Sequence, residues 1–111
     1  EVDDGDFCII LSKYQGYGRG NTAIESTPPG WKFASLEVMK TATKHISAIN
    51  RILNDMGEPN LYNDWYWTNT YWSSLFVYAI NPYTGEVIKT GSSDTPGTVY
   101  EAYHRYYKDC D

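Results

Sequence analysis

Cysteine is scarce in this 111-residue sequence, positive charge is sparse, and no apolar run approaches membrane-spanning length. Each shortage excludes something. Two cysteines, Cys8 and Cys110, cannot supply a four-ligand zinc site alone, and they lack C-x-x-C spacing. Nine Lys and Arg stand against fourteen Asp and Glu, without a basic run, so the net charge of −5 argues against nucleic acid as a partner. His45 and His104 are the only histidines, and no G-x-S-x-G nucleophile motif occurs. Asp64 and Glu86 can be paired as carboxylates only without the support of any spacing rule. No enzyme and no cofactor are therefore expected. No signal-peptide pattern is read, and the start at Glu1 rather than Met points to a processed or trimmed chain with segments upstream.

Aromatic residues, by contrast, are abundant. They make up 16% of the chain, eleven of them tyrosine, which suits either a small β-rich core or a recognition surface combining apolar faces with polar tips. The length allows one domain, residues 1–111, with a single core. Its centre is Trp65 to Ile88, where aromatic and β-branched residues predict two or three antiparallel strands. Asn81-Pro82-Tyr83-Thr84-Gly85 supplies a tight reversal inside that stretch.

The remaining elements are expected to pack against this sheet. Glu1–Asp6 reads as a frayed acidic lead-in without calcium-loop spacing, and Phe7–Leu11 as a buried strand. Tyr14–Asn21, with three alternate glycines, reads as a flexible loop, and Thr27–Gly30 as a Pro-Pro-Gly break. Ser35 is the expected N-cap of a helix to about His45 whose Leu36, Met39, Ala42 and Ile46 face the sheet. Ser47 is the expected cap of a second helix with the stripe Ile49, Ile52, Leu53 and Met56, ended by a left-handed Gly57. Polar loops are expected at Glu58–Asp64 and Gly91–Gly97. Thr98 and Glu101 offer a capping box, but the last segment, to Asp109, is assigned to a strand antiparallel to the first.

That pairing brings Cys8 beside Cys110. A disulfide there would close a loop of about 100 residues and stabilise the fold by roughly 4–5 kcal/mol. It implies an oxidising, extracytoplasmic setting; two buried free thiols in a cytosolic protein are the alternative.

Gly30-Trp31-Lys32-Phe33-Ala34-Ser35, then Ala48-Ile49-Asn50-Arg51-Ile52-Leu53, then Tyr66-Trp67-Thr68-Asn69-Thr70 occur in a familiar order. They resemble the bacterial C-type-lectin-like family of Fibrobacter-type major paralogous domains, whose motifs read G-W-R-L-P-S, I-N-x-x-L and Y-W-S-S-T. Phe33-Ala34 stands where that family has Leu-Pro, and Thr68-Asn69 where it has Ser-Ser. The resemblance covers about residues 30 to 109, with Tyr103–Asp109 in the place of a terminal V-R-x-V-R-D strand. It implies an α+β, C-type-lectin-like fold: two helices packed on a small twisted antiparallel sheet with paired terminal strands. It also implies a mostly non-catalytic, cell-surface role.

Alternation through Trp65, Trp67, Asn69 and Tyr71 against Tyr66, Thr68, Thr70 and Trp72 places aromatics on both sheet faces. The Trp67 set is expected to pack on the helices. The other set is either exposed for binding or covered by the flanking loops. The expected binding residues are Tyr62, Asn63, Trp65, Tyr71, Trp72 and Tyr83, recognising a glycan or a protein. A second reading makes the chain a structural accessory to neighbouring domains of a longer bacterial surface protein. In a third, Glu58, Asn60 and Asp64 hold calcium, because Glu58-Pro59-Asn60 resembles the sugar-binding tripeptide of mannose-type C-type lectins. No direct membrane insertion of this segment is expected.

Overall fold

The computed structural model describes residues 1–90 and 99–110. A six-stranded sheet carries helices on both faces. In chain order the elements are β1 (Val2–Asp4), β2 (Phe7–Gly18), α1 (Gly20–Glu25), α2 (Leu36–Lys44), α3 (Ile46–Asp55), β3 (Tyr66–Tyr71), β4 (Val77–Ile80), β5 (Val87–Lys89) and β6 (Ala102–Asp109). The strand order is β1-β2-β6-β3-β4-β5. The expected loop at Gly91–Gly97 lies outside the described residues, as does Thr98 of the capping box.

The chain ends pair as the sequence predicts. Ile9 faces Asp109 and Leu11 faces Tyr107 in antiparallel register, and Cys8 and Cys110 form a disulfide. The terminal strand does not leave the whole sheet antiparallel, however. β6 enters between β2 and β3 and runs parallel to β3, with Tyr66 opposite Tyr103. The parallel contact is short because the segment before α2 fills the gap farther along. Lys32 exchanges both backbone hydrogen bonds with Tyr107, and the Asn69 N–H donates to the Ala34 carbonyl at 2.9 Å. Trp31–Ser35 is thus an interposed strip between β6 and β3 as well as the lead into α2.

Two cores result, one on each sheet face. On the first face Val2, Ile9, Ala42, Ala48, Ile49, Leu53, Leu61 and Tyr66 are buried, with Met39, Ile46, Ile52 and Met56 packed around them. The predicted stripes of α2 and α3 account for most of this layer, apolar side chains three and four apart sharing one helix face. Ser35 caps α2 by accepting the Val38 N–H at 3.2 Å, and Gly57 follows α3 at φ 77°. Ser47 is not the cap of α3. His45 occupies that position without a side-chain cap, because α2 and α3 abut and leave no room for a separate start.

On the opposite face Ala23, Phe33, Trp67, Val77, Ala79, Ala102 and Tyr106 form the second core. Its cover includes α1, and the stretch Tyr14–Asn21, expected as a flexible loop, is instead the end of β2 to Gly18 and the start of α1. The reason is visible in the glycines. A Cβ on Gly20 would lie 3.2 Å from the Trp67 ring, and one on Gly16 only 2.2 Å from His104. The alternate glycines let two large rings press against the backbone. Trp67 therefore packs against the start of α1, while Tyr66 faces α2 and α3.

The acidic lead-in is also corrected: Val2 is fully buried and pairs with Ile9, making Val2–Asp4 an edge strand. Among the described residues no helix is long and apolar enough to cross a membrane.

Candidate functional site

The six predicted binding residues fall at two ends of β3. Tyr62, Asn63 and Trp65 lead into its start, and Tyr83 lies in the β4–β5 turn at that same end. Tyr71 and Trp72 close the far end, five residue steps or about 17 Å from Tyr66. Asn81 Nδ2 donates to Asn63 Oδ1 at 2.8 Å and ties the turn to the connector before β3. The Tyr83 hydroxyl donates to the Leu61 carbonyl at 2.6 Å and accepts from Asn50 Nδ2 at 2.9 Å. Tyr83 thus fastens α3, the connector and the turn together with its polar tip. Trp65 packs partly against the second core.

A row of tyrosines marks the start of β3. Tyr103 is at its centre, with ring centroids of Tyr17, Tyr62 and Tyr66 at 4.8, 4.7 and 5.6 Å. Register explains it. Tyr17 and Tyr66 both lie opposite Tyr103 on its two flanking strands, so three aromatics line up across the sheet. Tyr62 comes from the connector, its N–H donating to the Tyr66 hydroxyl at 3.0 Å; that hydroxyl donates in turn to Gln15 Oε1 at 2.8 Å. Burial raises the Tyr66 pKa above the usual phenol range. Tyr17 and Tyr62 remain 59% and 40% exposed, so this is an open aromatic surface above a buried base. The Tyr103 hydroxyl is also pushed up, first by desolvation and then by the Asp64 carboxylate. An acid therefore stands at the edge of the row. Tyr17 and Tyr103 are absent from the predicted site. The signal for Tyr17 was the alternation of Gln15 and Tyr17 with Gly16 and Gly18, which continues a strand.

The far end is more apolar. Trp72 Nε1 donates to the Thr90 carbonyl at 3.0 Å, and the indole stacks on Phe76 at 5.8 Å. The Lys89 ammonium lies 5.9 Å from the same ring. Leu75 and Phe76 are 66% and 41% exposed beside a cleft of about 300 Å³ whose walls include Trp67, Val77 and Tyr100.

His45 Nδ1 contacts the Asp4 carboxylate at 2.7 Å, and its ring stacks on Phe7. His104 is buried among Tyr14, Phe33 and Tyr106, and burial lowers its pKa. Among the described residues, the one group of three or more His, Cys, Asp or Glu ligand atoms close enough to share a metal is Glu1, Cys8 and Cys110. The disulfide consumes both sulfurs, so that group offers a single carboxylate. Glu58 and Asp64 belong to no such group. Asp64 Oδ1 accepts the Trp65 N–H at 2.7 Å, and Asn60 is exposed in the connector.

No protein-family model matches this chain, and no curated protein matches it.

Proposed function

We propose that the chain is a non-catalytic, extracytoplasmic binding module of C-type-lectin-like architecture that recognises a glycan or protein at a cell surface. The observation carrying this reading is the row Tyr17–Tyr103–Tyr62, with Asn63 and Asp64 alongside. Half-exposed tyrosines give a ligand large contact area at small entropic cost, since each has few torsions to fix. Cross-strand register and the Tyr66–Gln15 hydrogen bond hold the row in place, so little ordering remains for binding. The terminal disulfide supports an oxidising compartment. Burial of His104 keeps one of the two histidines away from a ligand, which suits a role in binding.

The test is a glycan and surface-protein screen, with and without calcium, followed by Tyr17→Ala and Tyr62→Ala. Each variant should weaken the selected ligand by about tenfold, the loss of one aromatic contact of the hot-spot kind, while the melting temperature stays near that of the parent. Parental affinity in both variants would remove the row as the site. Dependence of binding on calcium would favour Glu58, Asn60 and Asp64.

The exposed Leu75 and Phe76 beside the apolar cleft favour a second reading, an accessory domain that buries this end against a neighbouring domain. It predicts self-association of the isolated chain, relieved by Leu75→Asp.

A further inference from the structure

The tyrosine row lies on the helix-covered side of β6, where Tyr103 and Tyr107 join the first core. A separate groove opens on the other side, floored by Tyr106 of the second core. It forms where β2 slips against β6: four steps from Leu11 to Gln15 match only two from Tyr107 to Arg105. The extra residues bulge outward and carry Lys13 and Tyr14 with them.

This bulge is held from two sides. Arg105 Nη1 donates to the Ser12 carbonyl at 2.6 Å and reaches the Lys13 carbonyl at 3.4 Å. The Ser12 hydroxyl donates to the Tyr14 carbonyl at 2.8 Å and accepts the Tyr106 N–H at 3.2 Å. A half-buried guanidinium is an expensive way to fix a surface loop, since burial depresses its pKa and its Nε is left without a partner. Bulges of this kind re-aim side chains beside binding sites. Here the side chains aimed are an ammonium and a tyrosine that is 61% exposed.

Opposite them stand Ser26, Pro28 and Trp31, and the open groove between them has a volume of about 470 Å³, within the range of small-ligand sites. Tyr14 stacks nearly parallel to Tyr106 at 6.2 Å. Trp31 carries the Lys108 ammonium 4.2 Å from its ring centre. Neighbouring Lys32 is neutralised by Asp109, whereas Lys13 has no carboxylate partner among the described residues. In a chain of net charge −5, this groove therefore has aromatic walls, hydroxyl groups and the Lys13 ammonium among its lining, with Lys108 held over the Trp31 ring.

We propose that the groove binds an acidic saccharide. The apolar face of the sugar ring stacks on the exposed Tyr14 beside Trp31, its hydroxyls meet Ser26, and its carboxylate meets Lys13. A lone ammonium lining the groove suits one carboxylate and not a polyphosphate backbone, which needs a run of cations. This proposal stands apart from the reading of the tyrosine row, on the opposite face.

The experiment is an array of uronic- and sialic-acid-terminated oligosaccharides, each beside its carboxyl-reduced counterpart, probed with the oxidised full chain. Acidic members should be retained over their reduced forms, and added salt should weaken retention. Lys13→Gln and Tyr14→Ala should each weaken it about tenfold with the melting temperature preserved. Lys44→Gln, the same charge change on exposed α2, should leave it unaltered. Equal retention of acidic and reduced members, retention of neither, or parental binding by Lys13→Gln would overturn the proposal. Loss of binding in Tyr62→Ala but not in Lys13→Gln would move the ligand to the tyrosine row and overturn it equally.

Discussion

The His104 imidazole lies flush against the backbone of Gly16, so close that a Cβ there would sit 2.2 Å from its Cε1. The two residues are register partners on β2 and β6, and the missing side chain on one makes room for the ring of the other. Phe33 and Tyr106 pack around the same ring.

Gly16→Ala should therefore destabilise the fold by about 1–3 kcal/mol, the usual cost of inserting a methyl into a filled core. Urea unfolding measures it. A paired change of His104 to a smaller residue should recover part of the loss, and no recovery would show that the strain lies elsewhere.

Burial of His104 also gives stability a pH dependence. Its folded pKa is lowered below the unfolded value of 6.5, so the unfolded chain takes up the proton first. The contribution is fully present above pH 6.5 and is lost as pH falls from there through the folded pKa. His104→Phe should flatten the stability profile between about pH 5 and 6.5, where ordinary carboxylates do not yet titrate. An unchanged slope in that window would exclude His104 as its source.

Arg105 and Ser12 act on one bulge, so their substitutions should not add. Arg105→Met removes the bonds to two carbonyls and should cost about 1.5–3 kcal/mol; Ser12→Ala should cost about 1–3 kcal/mol by orphaning the buried Tyr106 N–H. A double-mutant cycle should show coupling of at least about 0.5 kcal/mol. Strict additivity would mean that the bulge is fixed by something other than this pair.

Reduction of Cys8–Cys110, which are 102 positions apart, should lower stability by up to about 4–5 kcal/mol on the loop-entropy account. Thermal melts with and without reductant check this. A melting temperature indifferent to reductant would mean that β1, β2 and β6 hold the termini together unaided.

Tyr83→Phe separates anchoring from recognition. Losing the bonds to Leu61 and Asn50 should cost about 1–2 kcal/mol and loosen amide protection in the Glu58–Asp64 connector. A variant as stable as the parent would return the Tyr83 hydroxyl to the list of groups available for a ligand.

Local chemistry made several elements legible. Ser35, the apolar stripe from Ile49 to Met56 and Gly57 define helix starts, faces and stops through contacts within a few residues, and Asn81–Gly85 does the same for the turn. The pairing of Phe7–Leu11 with the last strand was readable from the favoured disulfide between Cys8 and Cys110, and the structure removes the alternative of two free thiols. The tyrosine row was only half readable. Tyr62, Asn63 and Asp64 stand together in the sequence, but Tyr17 and Tyr103 join them through register across three strands.

What the sequence alone determined was composition and local periodicity: an aromatic, acidic α+β chain and its two main helices, with a terminal disulfide favoured over two free thiols. Tertiary structure decided which strands became neighbours, that β6 runs parallel to β3, and that Gly16 and Gly20 are seats for rings and not hinges. It also decided that Trp67 and Tyr66 bury on opposite faces and that Val2 is core. The physical reason is one of range. Caps, stripes and turns are set by interactions between near neighbours. Strand partners and covered faces are set by side chains as much as a hundred residues apart, whose complementarity no single stretch contains.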